Sequence, residues 1–389
     1  MTFWEKSLQH AKEKGTYRTL QPVDARNEQT ISYNEQSFIP FHTNDYLGWS
    51  TDTRLIQTSI EATKTYGVGS TGSRLTSGDY TLYHELEKKV ARLKSTERAL
   101  LFNSGYDANL AWPQILPPDA VVLSDALNHA SIIDGLRLAR TMKYIYPHQN
   151  IERLEQLLSQ LPEETPKWIV TDSVFSMDGT IAPLRDIVAL KKKYPNTFIL
   201  IDEAHATGVI GPNGKGVAHL FNIEHSIDVF VGTFSKALGS SGGFIASSQA
   251  FIEALVNHAR SFIFTTALPP SVVAVNLRAV ELLDVENEPR EHIHRLTAYF
   301  TAQLRNAFIP FVGGETPIFG ILCETNERAL ALEQFLQREG FFVKAIRPPT
   351  VPEQSSRVRI TLTARHKKRD IDRLLHHIQL FFNEEEVAK

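Results

Sequence analysis

Two strand-like segments each end in residues that could do chemistry. The first reads FILIDEAH, in which four apolar residues precede Asp202 and His205 follows three positions later. The second reads VFVGTFSK, in which an apolar run ends in Thr233, Ser235 and Lys236. Each segment alone also fits a structural role, because an aspartate often caps the turn after a strand and a single loop lysine is usually solvated.

Taken together, the two segments meet the needs of pyridoxal 5′-phosphate. The aldehyde of this cofactor forms a Schiff base with a lysine amine, and its pyridinium nitrogen pairs with a carboxylate that keeps the ring protonated. Lys236 and Asp202 would fill these two roles. The hydroxyls of Thr233 and Ser235 could hold the phosphate, and His205 could hydrogen-bond the phenolic oxygen of the ring. The Gly-x-x-x-x-Gly-Lys-Ser/Thr spacing of a P-loop is missing.

Three further strand ends fit the same cofactor. Gly105 and Tyr106 follow an apolar strand and begin a predicted helix, whose first N–H groups could bind the phosphate. His129 could stack on the pyridine ring and later act as an acid, although a lone histidine at such a place is more often structural. Ser176 could reach the oxygen of the ring.

A regular pattern of strands and helices would position these residues. Continuous apolar runs separated by amphipathic segments, such as Ile151–Gln160 and Leu184–Tyr194, indicate a mostly parallel sheet with helices on both faces. In such sheets the chemistry collects at the carboxyl ends of the strands. The predicted strands are Ala99–Phe102, Ala120–Leu123, Met142–Tyr146, Trp168–Thr171, Phe198–Ile201, Val229–Val231 and Phe244–Ala246.

The C-terminal residues have a different, compact α+β pattern. We predict an N-terminal segment with an amphipathic helix at residues 1–45, a large cofactor-binding domain at 46–285 and a small domain at 286–389. The N-terminal helix would pack on these domains through Phe3, Trp4 and Leu8. A charged helix, Glu281–Arg305, would lead into the small domain, whose own elements would be strands Phe319–Cys323, Phe341–Ile346 and Arg357–Leu362 and helices Glu327–Glu339 and Asp370–Phe382.

Composition excludes several classes of protein. The chain has 389 residues, a formal net charge of −3, 42% hydrophobic residues and 22% charged residues, so it is an ordinary folded protein without a basic field for nucleic acid. The single cysteine, Cys323, cannot form an internal disulfide or a cysteine-based zinc site, and we expect no metal. We find no signal peptide and no membrane span, and therefore expect a cytoplasmic protein.

The order of several motifs resembles that of the α-oxoamine synthases. These fold-type-I pyridoxal phosphate enzymes condense an amino acid with an acyl-CoA and release CO2 and CoA. The resemblance implies an α/β fold like that of aspartate aminotransferase, with a large, mostly parallel sheet domain and a smaller α+β C-terminal domain. Its motifs are NDYLG (44–48), GVGSTGSRLTSG (67–78), NHAS (128–131), SMDG (176–179), DEAHATG (202–208), TFSKALG (233–239), RPPTVP (347–352) and RVRITLT (357–363).

The resemblance also implies substrate-binding residues. Arg359 would hold the carboxylate of the amino acid, because a guanidinium binds a carboxylate through two hydrogen bonds, and Asn44 would assist. His129 would polarise the thioester or keto oxygen. Arg18 and Thr350 would lie on the acyl side of the substrate.

The resemblance implies a homodimer with shared active sites, in which Thr265 and Thr266 reach the cofactor phosphate of the partner. The combination of motifs indicates L-alanine and a pimeloyl thioester as the substrates. Glycine with acetyl-CoA or succinyl-CoA, an aminotransferase reaction and a non-enzymatic relative stay open. Glu203, at a position where an aspartate is common, is a small departure that leaves the catalytic motifs intact.

Overall fold

The computed structural model describes residues 2–387, which divide into two compact units. The larger unit comprises Leu47–Phe175 and Ile181–Arg290. The smaller unit comprises the chain up to Tyr46, the segment Ser176–Thr180 and the chain from Glu291 onward. The N-terminal segment that the sequence analysis sets apart is thus counted with the C-terminal residues.

Helices and strands are numbered along the chain. The α-helices are α1 (Phe3–Glu13), α2 (Thr53–Tyr66), α3 (Thr81–Lys94), α4 (Gly105–Ala111), α5 (Ala130–Leu138), α6 (Ile151–Ser159), α7 (Leu184–Lys193), α8 (Val217–Leu220), α9 (Gln249–His258), α10 (Arg260–Ile263), α11 (Pro270–Val285), α12 (Glu288–Asn306), α13 (Asn326–Arg338) and α14 (Lys368–Val387). The strands are β1 (Ala25–Arg26), β2 (Ile31–Tyr33), β3 (Gln36–Pro40), β4 (Arg98–Phe102), β5 (Val121–Asp125), β6 (Met142–Tyr146), β7 (Lys167–Asp172), β8 (Thr197–Asp202), β9 (Val229–Thr233), β10 (Gly243–Ser247), β11 (Phe311–Gly313), β12 (Ile318–Glu324), β13 (Phe341–Phe342), β14 (Lys344–Ile346) and β15 (Ser356–Thr361).

A seven-stranded sheet forms the centre of the larger unit. Its strand order is β4-β10-β9-β8-β7-β5-β6, and all seven strands correspond to predicted ones. Neighbouring strands from β9 to β6 are parallel, whereas β10 is antiparallel to both of its neighbours. The predicted mostly parallel sheet is confirmed.

The parallel strands bring polar residues to one edge of this sheet. β5, β7 and β9 are buried along their whole length, which explains their nearly continuous apolar sequence. Their carboxyl ends carry Asp125, Asp172 and Thr233, and β8 ends in Asp202, which is directly opposite Asp172 in the strand register. The sheet therefore concentrates buried carboxylates at the edge where the sequence predicts the chemistry.

The smaller unit contains two four-stranded sheets, with strand orders β1-β2-β3-β13 and β11-β12-β15-β14. The predicted single strand Phe341–Ile346 is wrong, because the chain passes at Val343 from the first sheet to the second. Phe341, Phe342 and Val343 are all at most 1% exposed. Successive residues of a strand point to opposite faces, so three consecutive buried residues favour a change of sheet over one strand with a solvated face.

The predicted helix Glu281–Arg305 is also wrong, because α11 ends at Val285 and α12 begins at Glu288. The guanidinium of Arg290 donates a hydrogen bond of 2.9 Å to the carbonyl oxygen of Leu283 and a second one to Asn287. Arg290 thus satisfies a carbonyl at the end of α11 that lacks a partner within the helix. The charged side chains that suggested one continuous helix instead stabilise a break.

The amphipathic N-terminal helix is confirmed as α1, but its expected packing is not. Thr2 and Glu5 form a capping box at its start. No residue of α1 is buried, and the side chains of Phe3 and Trp4 are 75% and 73% exposed. Among residues 2–387, no helix combines the length and apolar character that a membrane span requires.

A buried histidine links the N-terminal strand β3 to the C-terminal residues of the smaller unit. His366 is 3% exposed and stacks on Phe41 with 4.0 Å between ring centroids. Its Nδ1 accepts the N–H of Thr363 at 3.0 Å, and its Nε2 donates to the carbonyl oxygen of Pro40 at 3.1 Å. The contact at Nδ1 requires the neutral ring, because a protonated Nδ1 cannot accept, and burial lowers the pKa of His366 to about 4.

Acid should therefore destabilise the protein in part through His366. Between pH 6.5 and 4 the unfolded chain binds a proton that the folded protein excludes, so the stabilisation is complete above about pH 6.5 and decreases below it. We expect the free energy of unfolding to fall by about 1 kcal/mol per pH unit from this residue. Urea unfolding at pH 7.5, 6 and 5 should give a shallower pH dependence for His366→Gln than for the wild type, and equal slopes would contradict the assignment.

Candidate active site

Asp202 is a buried carboxylate with specific partners. It lies at the end of β8 and is 4% exposed. Its Oδ2 accepts a hydrogen bond of 2.7 Å from Asn109 Nδ2, and its Oδ1 accepts one of 2.8 Å from the backbone N–H of Ala204. These bonds offset the cost of burying the charge. Sequence reasoning did not assign Asn109, although it lies on the same predicted helix as Gly105 and Tyr106.

His129 caps the N-terminus of α5, after β5. Its Nδ1 accepts the backbone N–H of Ser131 at 3.3 Å and lies 2.7 Å from the hydroxyl of Ser131. Because Nδ1 is an acceptor, the neutral ring carries its proton on Nε2. Burial lowers the pKa of His129, against the opposing effect of the Asp202 carboxylate. A lowered pKa favours the neutral ring near neutral pH.

A second buried carboxyl group, Asp172, supports His129 from the neighbouring strand. Its Oδ2 accepts the backbone N–H of His129 at 2.7 Å, and its own N–H donates to Asn128 Oδ1 at 2.9 Å. Burial raises the pKa of Asp172 well above its usual value, and the nearby Asp202 carboxylate raises it further. Asp172 had no predicted role, although it lies at the end of β7, four residues before Ser176.

Lys236 lies in the turn after β9. There, Thr233 Oγ1 donates a hydrogen bond of 2.7 Å to the carbonyl oxygen of Gly242 and accepts one of 3.2 Å from the N–H of Ser235. Burial and the positive charge of Lys236 both lower the pKa of His129, whereas at Asp172 the charge of Lys236 only partly opposes the rise in pKa that burial causes. The larger unit therefore brings Lys236 together with the predicted residues of the neighbouring strand ends.

The expected phosphate-binding residues also lie close to one another. Gly105 begins α4, and a Cβ atom placed on it would lie 3.5 Å from the Cβ of Thr233. Asn103 Nδ2 donates hydrogen bonds to Thr265 Oγ1 at 3.0 Å and to the carbonyl oxygen of Thr266 at 2.7 Å. Tyr106 is 41% exposed, and its hydroxyl donates a 2.5 Å hydrogen bond to Asp134. His205, another predicted cofactor residue, is 7% exposed and belongs to the same unit.

The smaller unit holds a separate arrangement around Arg359 on β15. The guanidinium donates from Nε to the carbonyl oxygen of Ser176 at 2.8 Å and from Nη2 to Asn44 Oδ1 at 3.0 Å. Tyr46 also hydrogen-bonds Arg359, and burial raises the pKa of this tyrosine to about 12. Arg359 is 6% exposed, so a buried guanidinium is held in one orientation. Tyr46 stands in the NDYLG motif, but sequence reasoning did not connect it with Arg359.

Arg18 and Thr350, both predicted for the acyl side, contact each other. Arg18 Nη2 donates to Thr350 Oγ1 at 3.2 Å. Arg347 donates to the carbonyl oxygens of Gly15 and, at 3.4 Å, Tyr17. These bonds attach the chain after α1 to the loop after β14.

Comparisons with known proteins agree with this geometry. Residues 36–378 match the family model of the class I and II aminotransferases. The chain is 41% identical over 377 residues, 97% of both chains, to the 8-amino-7-oxononanoate synthase of Lysinibacillus sphaericus. The solved serine palmitoyltransferase of Sphingomonas wittichii has 31% identity and a TM-score of 0.92. The match covers 99% of this chain and 97% of the Sphingomonas chain. The solved 8-amino-7-oxononanoate synthase of Francisella tularensis has 27% identity and a TM-score of 0.78. The match covers 90% of this chain and 98% of the Francisella chain.

The chain belongs to the class I and II aminotransferase family, and within it to the α-oxoamine synthases. It is a pyridoxal-phosphate-dependent acyltransferase with the fold-type-I architecture. The residues of the larger unit fit this cofactor, because a lysine and a buried, hydrogen-bonded carboxylate lie at neighbouring strand ends. The predicted fold, cofactor and class of enzyme are thus confirmed.

The hydrogen bond from Asn109 should be needed for tight cofactor binding. Asn109→Leu leaves Oδ2 of the buried Asp202 without this donor, which makes the ionised form that pairs with the pyridinium less favourable. We expect the dissociation constant for pyridoxal phosphate, measured by equilibrium dialysis, to rise about tenfold or more. Asn257→Leu, at an exposed position on α9, is the matched control. Equal affinities in the two variants would rule out the role of Asn109.

Proposed function

We propose that this enzyme condenses L-alanine with a pimeloyl thioester, carried by CoA or by acyl-carrier protein. The products would be 8-amino-7-oxononanoate, CO2 and the free thiol carrier, and the reaction would serve biotin biosynthesis. The observation that carries the proposal is the 41% identity, over 97% of both chains, to a relative that bears the name of this activity. The cluster of Lys236, Asp202 and His129 supports it, because the reaction needs each of these groups.

Asp202 and Lys236 would perform the proton chemistry. Bound pyridoxal phosphate supplies an electron sink. Asp202, which accepts hydrogen bonds from Asn109 and Ala204, would pair with the ring nitrogen and favour its protonated form. The Lys236 Nζ amine is the base that removes the Cα proton of alanine and later returns a proton to that carbon.

His129 would act on the second substrate. Its proton lies on Nε2, because Nδ1 accepts from Ser131, and this N–H can be donated to the carbonyl oxygen of the thioester. The hydrogen bond from the His129 backbone to Asp172 keeps the residue at the end of β5. A neutral donor of this kind stabilises negative charge as it develops on the oxygen during acyl transfer.

Arg359 would bind the carboxylate of alanine until this group leaves as CO2. Asn44, Tyr46 and the carbonyl of Ser176 orient the guanidinium before substrate binds. Such preorganisation lowers the entropic cost of binding a planar carboxylate. Ser176 would thus act here through its carbonyl, in addition to the proposed contact of its side chain with the cofactor ring.

The assembly and the acyl side belong to the same proposal. We propose a cytoplasmic homodimer in which Thr265 and Thr266 contact the phosphate of the partner's cofactor. Arg18 and Thr350 would contact the acyl chain of the thioester, as a pair joined by their hydrogen bond.

Substrate choice is tested by CoA release. The purified enzyme is assayed with alanine and pimeloyl-CoA, glycine and acetyl-CoA, glycine and succinyl-CoA, and serine and palmitoyl-CoA. We expect the highest kcat/KM for alanine with pimeloyl-CoA. A higher value for any other pair would overturn the proposed substrates, and amino exchange with a keto acid without CO2 release would indicate an aminotransferase.

Lys236→Ala should abolish both turnover and the visible absorbance of the bound cofactor, because no amine remains to bond the aldehyde. Absorbance spectra after reconstitution with pyridoxal phosphate, together with the CoA-release assay, measure the two effects. Lys192→Ala removes an exposed lysine at the end of α7 and should change neither. Wild-type turnover in Lys236→Ala would exclude this lysine from the reaction.

Tyr46→Phe should weaken binding of the amino acid but not of the thioester. The change removes a hydroxyl partner of Arg359 and keeps the ring. A hydrogen bond to a charged group contributes about 1.5–3 kcal/mol, so we expect the KM for alanine to rise about tenfold. Tyr33→Phe is the control, and steady-state kinetics with each substrate varied in turn give the two KM values. A rise confined to the thioester KM would remove Tyr46 and Arg359 from the carboxylate site.

A further inference from the structure

A buried ion pair lies beside the cofactor residues and has no part in the proposed reaction. Lys94 at the end of α3 and Glu203 after β8 are both fully buried, with 2.6 Å between Nζ and Oε2. Lys94 Nζ also donates to Thr207 Oγ1 at 2.8 Å and to the carbonyl oxygen of Lys215 at 2.7 Å. These three acceptors match the three N–H donors of a charged ammonium, and the Glu203 carboxylate favours that form against burial, which lowers the pKa of Lys94.

The surroundings leave this ammonium little freedom to move. The rings of Phe230 and Phe244 have their centroids 5.9 Å from Lys94 Nζ. A Cβ atom on Gly216 would come within 2.0 Å of Glu203 Oε2, so the chain approaches the carboxylate closely at a position whose φ is +113°. The other charged or titratable groups that interact with Lys94 are Asp202 and His219.

The acceptors of Lys94 stand on both sides of a predicted cofactor residue. Glu203 and Thr207 are the first and last residues of the turn that contains His205, and Glu203 directly follows Asp202. Within the turn, the backbone N–H groups of Ala206 and Thr207 donate to the carbonyl oxygen of Glu203 at 2.9 and 2.8 Å. One ammonium thus joins the two ends of the turn and anchors them to helix α3.

Stability alone is a poor explanation for such a pair. Removing two charges from water costs about as much as their attraction returns, and apolar replacements of buried pairs are often neutral or stabilising. An apolar pair would make no directional hydrogen bonds. The charge-assisted hydrogen bonds of Lys94, in contrast, fix the position of each end of the turn.

We propose that Lys94 is a positioning residue of the cofactor site, which holds Glu203 and Thr207 so that Asp202 and His205 meet the cofactor ring in one orientation. This role rests on the cofactor site of the proposed function but not on the choice of amino acid or thioester. Lys94 itself contacts Glu203, Thr207 and the Lys215 carbonyl and acts on the cofactor only through the turn.

The test compares cofactor binding with stability. Lys94→Met combined with Glu203→Gln removes both charges, so that no unpaired carboxylate stays buried. The control is Lys89→Met with Glu281→Gln, which removes a pair whose lysine lies on the same helix, α3, and whose side chains are 37% and 36% exposed. Each variant is measured for its urea midpoint without cofactor, its dissociation constant for pyridoxal phosphate, and the pH midpoint of the visible absorbance of the bound cofactor.

We expect the Lys94 and Glu203 double variant to keep its urea midpoint but to bind pyridoxal phosphate about tenfold more weakly, with a shifted pH midpoint. The control should match the wild type in all three measurements. Wild-type affinity and pH midpoint in the double variant would show that the pair is only structural and would overturn the proposal.

Thr207→Val provides an independent arm if the double variant does not fold. It removes one acceptor of Lys94, keeps the ion pair and preserves the shape of the side chain. We expect a smaller loss of affinity and a pH shift in the same direction, and an unchanged cofactor site would overturn the proposal. None of these measurements uses alanine or a thioester, so a wrong substrate assignment leaves their outcome unaffected.

Discussion

The site depends on one constraint, the burial of the Asp202 carboxylate at the end of a central parallel strand. A charge at this place is costly unless its surroundings compensate for it. Asn109 on α4 and the N–H of Ala204 provide hydrogen bonds, and Lys94 provides a nearby positive charge. Helix α4 and the turn after β8 are therefore both bonded to one carboxylate.

The same constraint explains the state of the neighbouring strand end. Asp172 is opposite Asp202 in the sheet register, and two buried carboxyl groups at this spacing do not ionise equally. Burial and the Asp202 charge raise the pKa of Asp172, which then serves as the acceptor that holds the backbone of His129. A pair of acids in register thus divides into one candidate partner for the cofactor and one anchor for the backbone of the histidine.

Local sequence was sufficient to predict what single segments determine. The apolar runs before Asp202 and Lys236 predicted the two strands, and the residues at their ends became the candidate cofactor residues. Asn109, Tyr46 and Lys94 were missed because each acts on a residue far away in the chain, so no spacing within their own segments indicates the partner. The split of Phe341–Ile346 between two sheets and the break that Arg290 stabilises have the same origin, since both depend on contacts that only the folded chain creates.

The pairing of β3 with β13 has a consequence for synthesis of the chain. Ile31 and Phe38 are packed against Phe342, so these residues need a partner that is synthesised much later in the chain. The larger unit has all of its strands once Arg290 has left the ribosome, and domains tend to fold as units during synthesis. The first sheet of the smaller unit cannot be completed until β13 has been synthesised. A chain truncated before Phe341 would expose an unpaired apolar edge to chaperones and proteases.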